Sequence, residues 1–329
     1  MTTRQHASEL ACLLVAALLL GLASGGVPAQ PYPNKPITMV VPFPPGGIAD
    51  LTGRVLAPVM SNILGQNIII ENRAGAGGAV GMAHLAKQKP DGYTLMTALS
   101  SIVIIPASDI VSGRAPLYQM ADFTPIALVS ADPTVLLVPA NSPWKTLDDL
   151  IKDAKASPGK ISYSSSGIYG TTHTATEMLA QAAGVQFLHV PYKGGGPAMT
   201  ALLAGEVAVT VQSPGVANPH VKAGKVRMLA SWGATRLPAI AEVPTMKELG
   251  YDVEFTIWAA LFAPAGLPPD VLAKVREAAR QAMQDSKFRA SMNAMNTPIS
   301  YLEGAEFDNF IAQDAKRLGE VVRHIGKVE

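Results

Sequence analysis

Two stretches of the chain place glycines or hydroxyls between a strand-like run and a helical pattern, an arrangement suited to holding an anion. In the first, Pro44-Pro45-Gly46-Gly47 follows Ile37-Thr38-Met39-Val40-Val41 and leads into Ile48, Ala49 and Asp50. Glycine lets the backbone approach a ligand closely, and the free N–H groups and dipole of a helix start favour negative charge. In the second, Ser164-Ser165-Ser166-Gly167-Ile168-Tyr169-Gly170 runs into Thr171, Thr172 and His173. Either threonine can cap the helix or offer its hydroxyl outward. Lys193-Gly194-Gly195-Gly196-Pro197 is a third turn of this kind. Each of these loops also has a plain reading as an ordinary strand-to-helix turn. Asp50 can simply complement a helix dipole, and His173 can be a packed histidine. Placed at the carboxyl ends of parallel strands, one loop per lobe, the first two become a ligand site, because open α/β sheets bind ligands there.

Patterns for covalent, metal or nucleotide chemistry are missing. Gly75-Ala76-Gly77-Gly78-Ala79-Val80-Gly81 misses the dinucleotide fingerprint, its last glycine falling one residue late. Gly47 to Gly53 has neither phosphate-loop spacing nor a Lys-Ser/Thr pair, since Arg54 follows. No G-x-S-x-G elbow surrounds any serine, and the six histidines show no H-E-x-x-H or other paired metal spacing. The reading is a non-enzyme. A periplasmic hydrolase built on a serine and His173 is the catalytic competitor, and a base–nucleophile–acid set is what it would need.

The elements that must carry these loops alternate. After Ile37–Val41, a helical pattern shows Leu51, Val55, Val59 and Leu64 on one face, with Pro58 expected to kink or shorten it. Residues 67–71 and 93–97 read as strands around a helix at 81–87. A second α/β run reads as strands at 135–138, 161–164, 188–190 and 207–211, with helices at 147–156, 173–183 and 197–203. Charged helices at 271–283 and 305–325 need a sheet to cover and are assigned to the first lobe. The expected fold is α/β with two lobes, a type II Venus-flytrap binding protein, each lobe a mainly parallel sheet flanked by helices. Lobe 1 takes 30–130 and 256–329 and lobe 2 takes 131–255 as an insertion. Hinge strands lie near 127–134 and 252–260.

Composition bounds the partners. The chain is 48% hydrophobic and 16% charged, with formal net charge +1 and no block of like charge. That is a globular composition with no footprint for nucleic acid. Ala11 to Leu20 is an unbroken apolar run, too short to span a bilayer, and Val27-Pro28-Ala29 resembles a cleavage site. The reading is a signal peptide over residues 1–29 that delivers the protein to the periplasm. A retained N-terminal anchor is the alternative, because Arg4 is the one basic residue ahead of the run and Glu9 opposes it. Cys12, the only cysteine, lies in that leader, so a mature chain has no disulfide or thiolate chemistry.

A longer set of motifs carries a family resemblance. They are Tyr32-Pro33 with Lys35-Pro36-Ile37, and Val41-Pro42-Phe43-Pro44-Pro45-Gly46-Gly47 with Asp50. Glu71-Asn72-Arg73-Ala74-Gly75-Ala76-Gly77-Gly78 and Pro90-Asp91-Gly92-Tyr93-Thr94 follow. Then come His189-Val190-Pro191-Tyr192-Lys193-Gly194, Lys222-Ala223-Gly224-Lys225, Val243-Pro244-Thr245 and Ala263-Pro264-Ala265-Gly266. In this order they resemble the Bug family, the TctC-like solute-binding receptors of tripartite tricarboxylate transporters.

The resemblance implies a monomeric periplasmic receptor that closes on a small carboxylate and hands it to a membrane permease. A sensing subunit for a membrane signalling protein would need the same closing lobes. It implies carboxylate binding largely by backbone amides and ordered water, with no metal and no organic cofactor. On this chain the candidate ligand-binding residues are Phe43, Gly46, Gly47, Ile48, Ala49, Asp50 and Ser100 in one lobe. In the other they are Ser166, Gly167, Tyr169, Thr171, Thr172, His173, Gly195, Gln212 and Ser213. Tyr169 intrudes before Gly170, and Gln212-Ser213 stands where many members carry an acid. Both departures point away from an amino-acid ligand. The expected ligand is a mono- or dicarboxylate, with an aromatic acid admitted against Tyr169 or Trp258.

Overall fold

Short runs of branched apolar residues build the sheets of the protein, whose computed structural model describes residues 31–328. The signal-peptide reading therefore falls outside the described residues. β1 (Ile37–Val41), stopped by Pro42, is buried along almost its whole length. It pairs in parallel with β2 (Ile68–Asn72) and β3 (Thr94–Leu99). Two long strands from later in the chain complete this sheet: β4 (Phe123–Pro133) and β10 (Thr256–Pro264). β10 runs antiparallel between β3 and β4, and β11 (Ile299–Glu303) adds an antiparallel edge on β4. The order is β11-β4-β10-β3-β1-β2.

The second sheet is β7-β6-β8-β5-β9. Its strands are β5 (Val135–Pro139), β6 (Ser162–Ser165), β7 (Leu188–Pro191), β8 (Val209–Gln212) and β9 (Val226–Ser231). β6 is parallel to β7 and β8, whereas β5 is antiparallel to both β8 and β9. Both sheets are thus mixed, though most strands of each run in one direction as the sequence suggested, with β10 and β11 reversed in the first and β5 in the second. The reason is the route of the chain. It leaves the first sheet up β4 and returns down β10, so these strands and β5 must oppose their neighbours.

Helices cover both sheets. α1 (Ile48–Leu64) follows β1, α2 (Ala79–Ala86) precedes β3 and α3 (Ser101–Val111) follows it. α4 (Leu147–Ala156), α5 (Thr171–Ala183), α6 (Gly195–Ala204) and α7 (Pro214–Lys222) flank the second sheet. α8 (Pro269–Gln284), α9 (Ser286–Ala294) and α10 (Gly304–Ile325) close the chain. α1 runs unbroken through Pro58, which is exposed, so its missing N–H faces water. Its buried stripe is Ala49, Thr52, Gly53, Leu56, Ala57 and Met60, while Leu51, Val55 and Val59 flank it half-buried. α3, α7, α9, β9 and β11 had no counterpart in the sequence reading. α3 is apolar all round over Ile102 to Ile105 and buried there, so no helical stripe marks it.

α10 returns to the first sheet. Phe307 and Phe310 pack against Trp258, with ring centroids 6.5 and 5.9 Å away. The Trp258 indole donates to Asp314 Oδ2 at 2.7 Å, and Arg317 Nη2 reaches Asp314 Oδ1 at 2.7 Å. The chain from Lys35 onward packs as one compact unit. Between the two sheets, three backbone bonds tie the crossing segments. Thr134 N–H donates to Phe255 O, Phe255 N–H to Trp232 O, and Trp232 N–H to Thr134 O, at 2.9–3.3 Å.

Candidate functional site

Four helices begin at one small enclosed cavity. From the first sheet's side, α1 starts at Gly47, and Gly47, Ile48 and Ala49 line the wall with Phe43, Leu99 and Ile257. From the second sheet's side, α5 presents Thr171 and Thr172, α6 presents Gly195 and α7 presents Ser213. Ser166 and Gln212 complete the lining. None of the four N-caps, Gly47, Gly170, Gly194 and Ser213, makes a side-chain cap bond. A helix leaves its first N–H groups without a partner in the helix and its dipole positive there. α7 opens with Pro214, which brings no N–H, and in α5 Thr172 N–H already donates to Ser166 Oγ at 3.5 Å. Converging helix starts make a field for an anion, with each charge-assisted N–H bond worth about 1.5–3 kcal/mol.

Local chemistry shapes each wall. Gly46 adopts φ +88°, which carries the turn between β1 and α1. Asp50 braces that turn from behind. Its Oδ2 accepts from Gly46 N–H at 3.1 Å and from Arg54 Nε at 2.9 Å, and its Oδ1 accepts from Asn72 Nδ2 at 2.9 Å. Burial would raise the Asp50 pKa, but the bonds from Arg54, Asn72 and Gly46 outweigh it and hold the carboxyl below the usual range. On the facing wall, Ser166 N–H donates to Thr172 Oγ1 at 2.7 Å, and Thr172 Oγ1 donates to Ser166 Oγ at 3.1 Å. Gln212 Nε2 donates to Gly195 O at 3.1 Å, fixing the start of α6.

The two walls touch through glycine. A Cβ on Gly196 would lie 2.5 Å from Pro45 O, and one on Gly167 would lie 3.0 Å from Gly77 N. The cavity holds only about 20 Å³, room for about one water.

The structure brings together ten of the sixteen candidates: Phe43, Gly47, Ile48, Ala49, Ser166, Thr171, Thr172, Gly195, Gln212 and Ser213. The other six do not line this cavity. Gly46 spends its N–H on Asp50, and Asp50 is the brace described above. Ser100 is buried behind the wall, its N–H donating to Trp258 O at 3.2 Å. Gly167 and Tyr169 line a separate open groove of about 510 Å³. There Tyr169 Oη donates to Gly326 O at 2.6 Å and accepts from Val328 N–H at 3.0 Å. Trp258 is turned to the opposite face of the sheet, against α10. The stacking partners foreseen for an aromatic ligand are thus committed elsewhere, and the ring at the cavity wall is Phe43.

His173 lies in a buried aromatic stack. Its ring is 4.2 Å from that of His189 and 6.5 Å from that of Tyr163, and its Nδ1 accepts from Tyr169 N–H. Burial, helped by His189, pushes the His173 pKa down to about 3, and burial pushes His189 down to about 4. Ser165 Oγ and His189 Nε2 are 2.6 Å apart, a nucleophile-like pair, but neither lines the cavity. Leu99 and Ile257 are cavity residues the sequence reading missed. They sit beside Ser100 and Trp258, and only strand register decides which neighbour faces inward.

Two helix-flanked α/β sheets with an enclosed cavity between them have the architecture of the two-lobed periplasmic binding proteins. The chain belongs to the family described as "Tripartite tricarboxylate transporter family receptor", whose model matches residues 52–327. Protein BugT of Bordetella pertussis is 34% identical over 319 residues, covering 95% of this chain and 97% of that protein. The periplasmic binding protein BugD superposes with TM-score 0.84 at 30% identity, over 89% of this chain and 98% of BugD. MatC from Rhodopseudomonas palustris, solved with bound malate, superposes with TM-score 0.82 at 27% identity, over 88% of this chain and 100% of MatC.

Proposed function

We propose that this protein is an extracytoplasmic receptor that captures a small mono- or dicarboxylate between two lobes and delivers it to a tripartite-type membrane permease. The convergence of four helix starts, none capped by its own N-cap side chain, on one enclosed cavity carries the reading. Malate bound to MatC supports the carboxylate class. Lobe 1 comprises 30–130 and 256–329 and lobe 2 comprises 131–255. The bonded segments at Thr134 and Phe255 act as the hinge. A 20 Å³ cavity holds about one water, so the lobes must part for entry and the lining side chains must move aside as the lobes close on the ligand. Donors from both lobes then make the closed form the one the ligand stabilises, and the permease reads that form. Four or five charge-assisted bonds, less ordering costs, give about 8 kcal/mol, a micromolar affinity. The role is binding, without chemistry on the ligand.

A thermal-shift panel of mono-, di- and tricarboxylates and acidic amino acids tests this. At 100 times its dissociation constant a ligand adds about 2.7 kcal/mol, a rise of several degrees for a chain of this size. Thr171→Val should abolish most of that rise and leave the ligand-free melt intact. A panel in which no carboxylate moves the melt would refute the carboxylate reading.

A further inference from the structure

Beside the cavity lies a carboxyl group with nothing to hold it. Asp132 is fully buried, and neither of its oxygens has a hydrogen-bond partner among the described residues. Strand register places it. Ile257 lies opposite Asp132, Ala259 opposite Ser130, and Ala259 again opposite Leu99 on its other side. Directly opposed residues share a face, so Leu99, Ile257, Ser130 and Asp132 stand on one face of the first sheet. Leu99 and Ile257 line the cavity. Asp132 is therefore one strand beyond its wall, about 5 Å farther on.

Register brings hydroxyl residues to the level of Asp132. Ile299 pairs with Ser130, which sets Thr297 level with Asp132. The start of α7 leans on the same spot, since a Cβ on Gly215 would lie 2.6 Å from Thr297 Oγ1. Ser130, Ser213 and Thr297 each have a buried hydroxyl without a partner. So many unpaired polar groups in one place are rare in a native interior and point to a group that completes them. Burial is what pushes the Asp132 pKa well up. Among the elements packed on β4, Arg276 of α8 donates to Pro125 O, about 23 Å along the strand. Asp314 and Arg317 of α10 lie on the opposite face with Trp258.

We propose that Asp132 acts as a neutral acid that donates a hydrogen bond to the distal carboxylate of a dicarboxylate ligand, making this receptor select dicarboxylates over monocarboxylates of similar size. This rests on the carboxylate-receptor reading above. The alternative is an ionised Asp132 paired with a ligand ammonium. The converging helix starts disfavour it, because their positive ends oppose a cation and favour a second anion. A neutral carboxyl is also the form that burial prefers.

Calorimetric titration of malate and of a monocarboxylate of similar size tests the assignment on wild type, Asp132→Asn and Asp132→Leu. Asn keeps a donor and Leu keeps only the bulk, and neither leaves a buried charge, so both should fold. The expected result is malate affinity within a few-fold of wild type for Asn and a loss of about 10- to 150-fold for Leu. Monocarboxylate binding should be unmoved in both, and malate binding by wild type should weaken toward alkaline pH while that of Asp132→Asn does not. Loss in Asn equal to that in Leu would show that the anion is required, and full binding by Leu would show no contact; either overturns the assignment. If wild type binds both acids equally and Asp132 is silent, the receptor reading stands and this inference falls. If wild type binds neither, both fall together.

Discussion

Replacing Gly196 with alanine should block closure without harming the fold. Gly196 is the second residue of α6, and a methyl group there would sit 2.5 Å from Pro45 O. Ordinary contact begins near 3.4 Å, so the Pro45–Gly47 turn must retreat by 3.4 − 2.5 = 0.9 Å. A hydrogen bond of about 2.9 Å stretched by that much is no longer one. One charge-assisted N–H contact from α1 to the ligand is then lost, about 1.5–3 kcal/mol, or about 10- to 150-fold in affinity. The neighbour is backbone oxygen, which cannot swing aside as a side chain can. In the parted form the methyl meets no opposite wall, and alanine suits a helix better than glycine by about 0.5–1 kcal/mol. The ligand-free melt should hold or rise slightly. Titration calorimetry with the carboxylate that shifts the wild-type melt reads the affinity, and small-angle scattering on wild type and variant reads whether that ligand compacts each. Wild-type affinity together with wild-type compaction would refute the claim that α6 and the Gly46–Gly47 turn meet on closure.

Two further outcomes follow from the buried groups. His173 and His189 are held neutral, with pKa values of about 3 and about 4 against 6.5 unfolded, so the unfolded chain binds more protons between those values. Stability should be full above pH 6.5 and fall as pH drops toward 4, by about 2 kcal/mol per histidine at pH 5. Urea unfolding at pH 7 and pH 5 measures it, and equal midpoints would contradict a buried neutral pair. Trp258→Phe removes the donor to Asp314 and should cost about 1.5–3 kcal/mol of stability while leaving carboxylate affinity unchanged. A drop in affinity without a drop in stability would place this residue at the ligand.

The alternation of strand-like and helix-like runs, the two glycine or hydroxyl turns and the order of the family motifs were all legible in the residues. So was the absence of motifs for covalent catalysis, because those need particular residue types at particular spacings. Local steric rules suffice for this: proline ends β1, and Gly46 permits a left-handed turn. Which strands run against the rest was not legible, since parallel and antiparallel strands buried on both faces share one composition. Nor was the inward face of a strand or helix settled. Leu51 and Val55 look like a core stripe of α1, yet Ala49, Thr52 and Leu56 are the buried ones. Tyr169, His173 and Trp258 sit within two residues of the cavity lining in sequence, and packing turned each of them away. Asp132 is the sharpest case. One acid in an apolar strand shows nothing by itself, and only pairing with β10 and β11 sets it beside the cavity with three unpaired hydroxyls. Short-range sterics write turns and periods into a sequence, whereas register and burial come from contacts between segments more than a hundred residues apart.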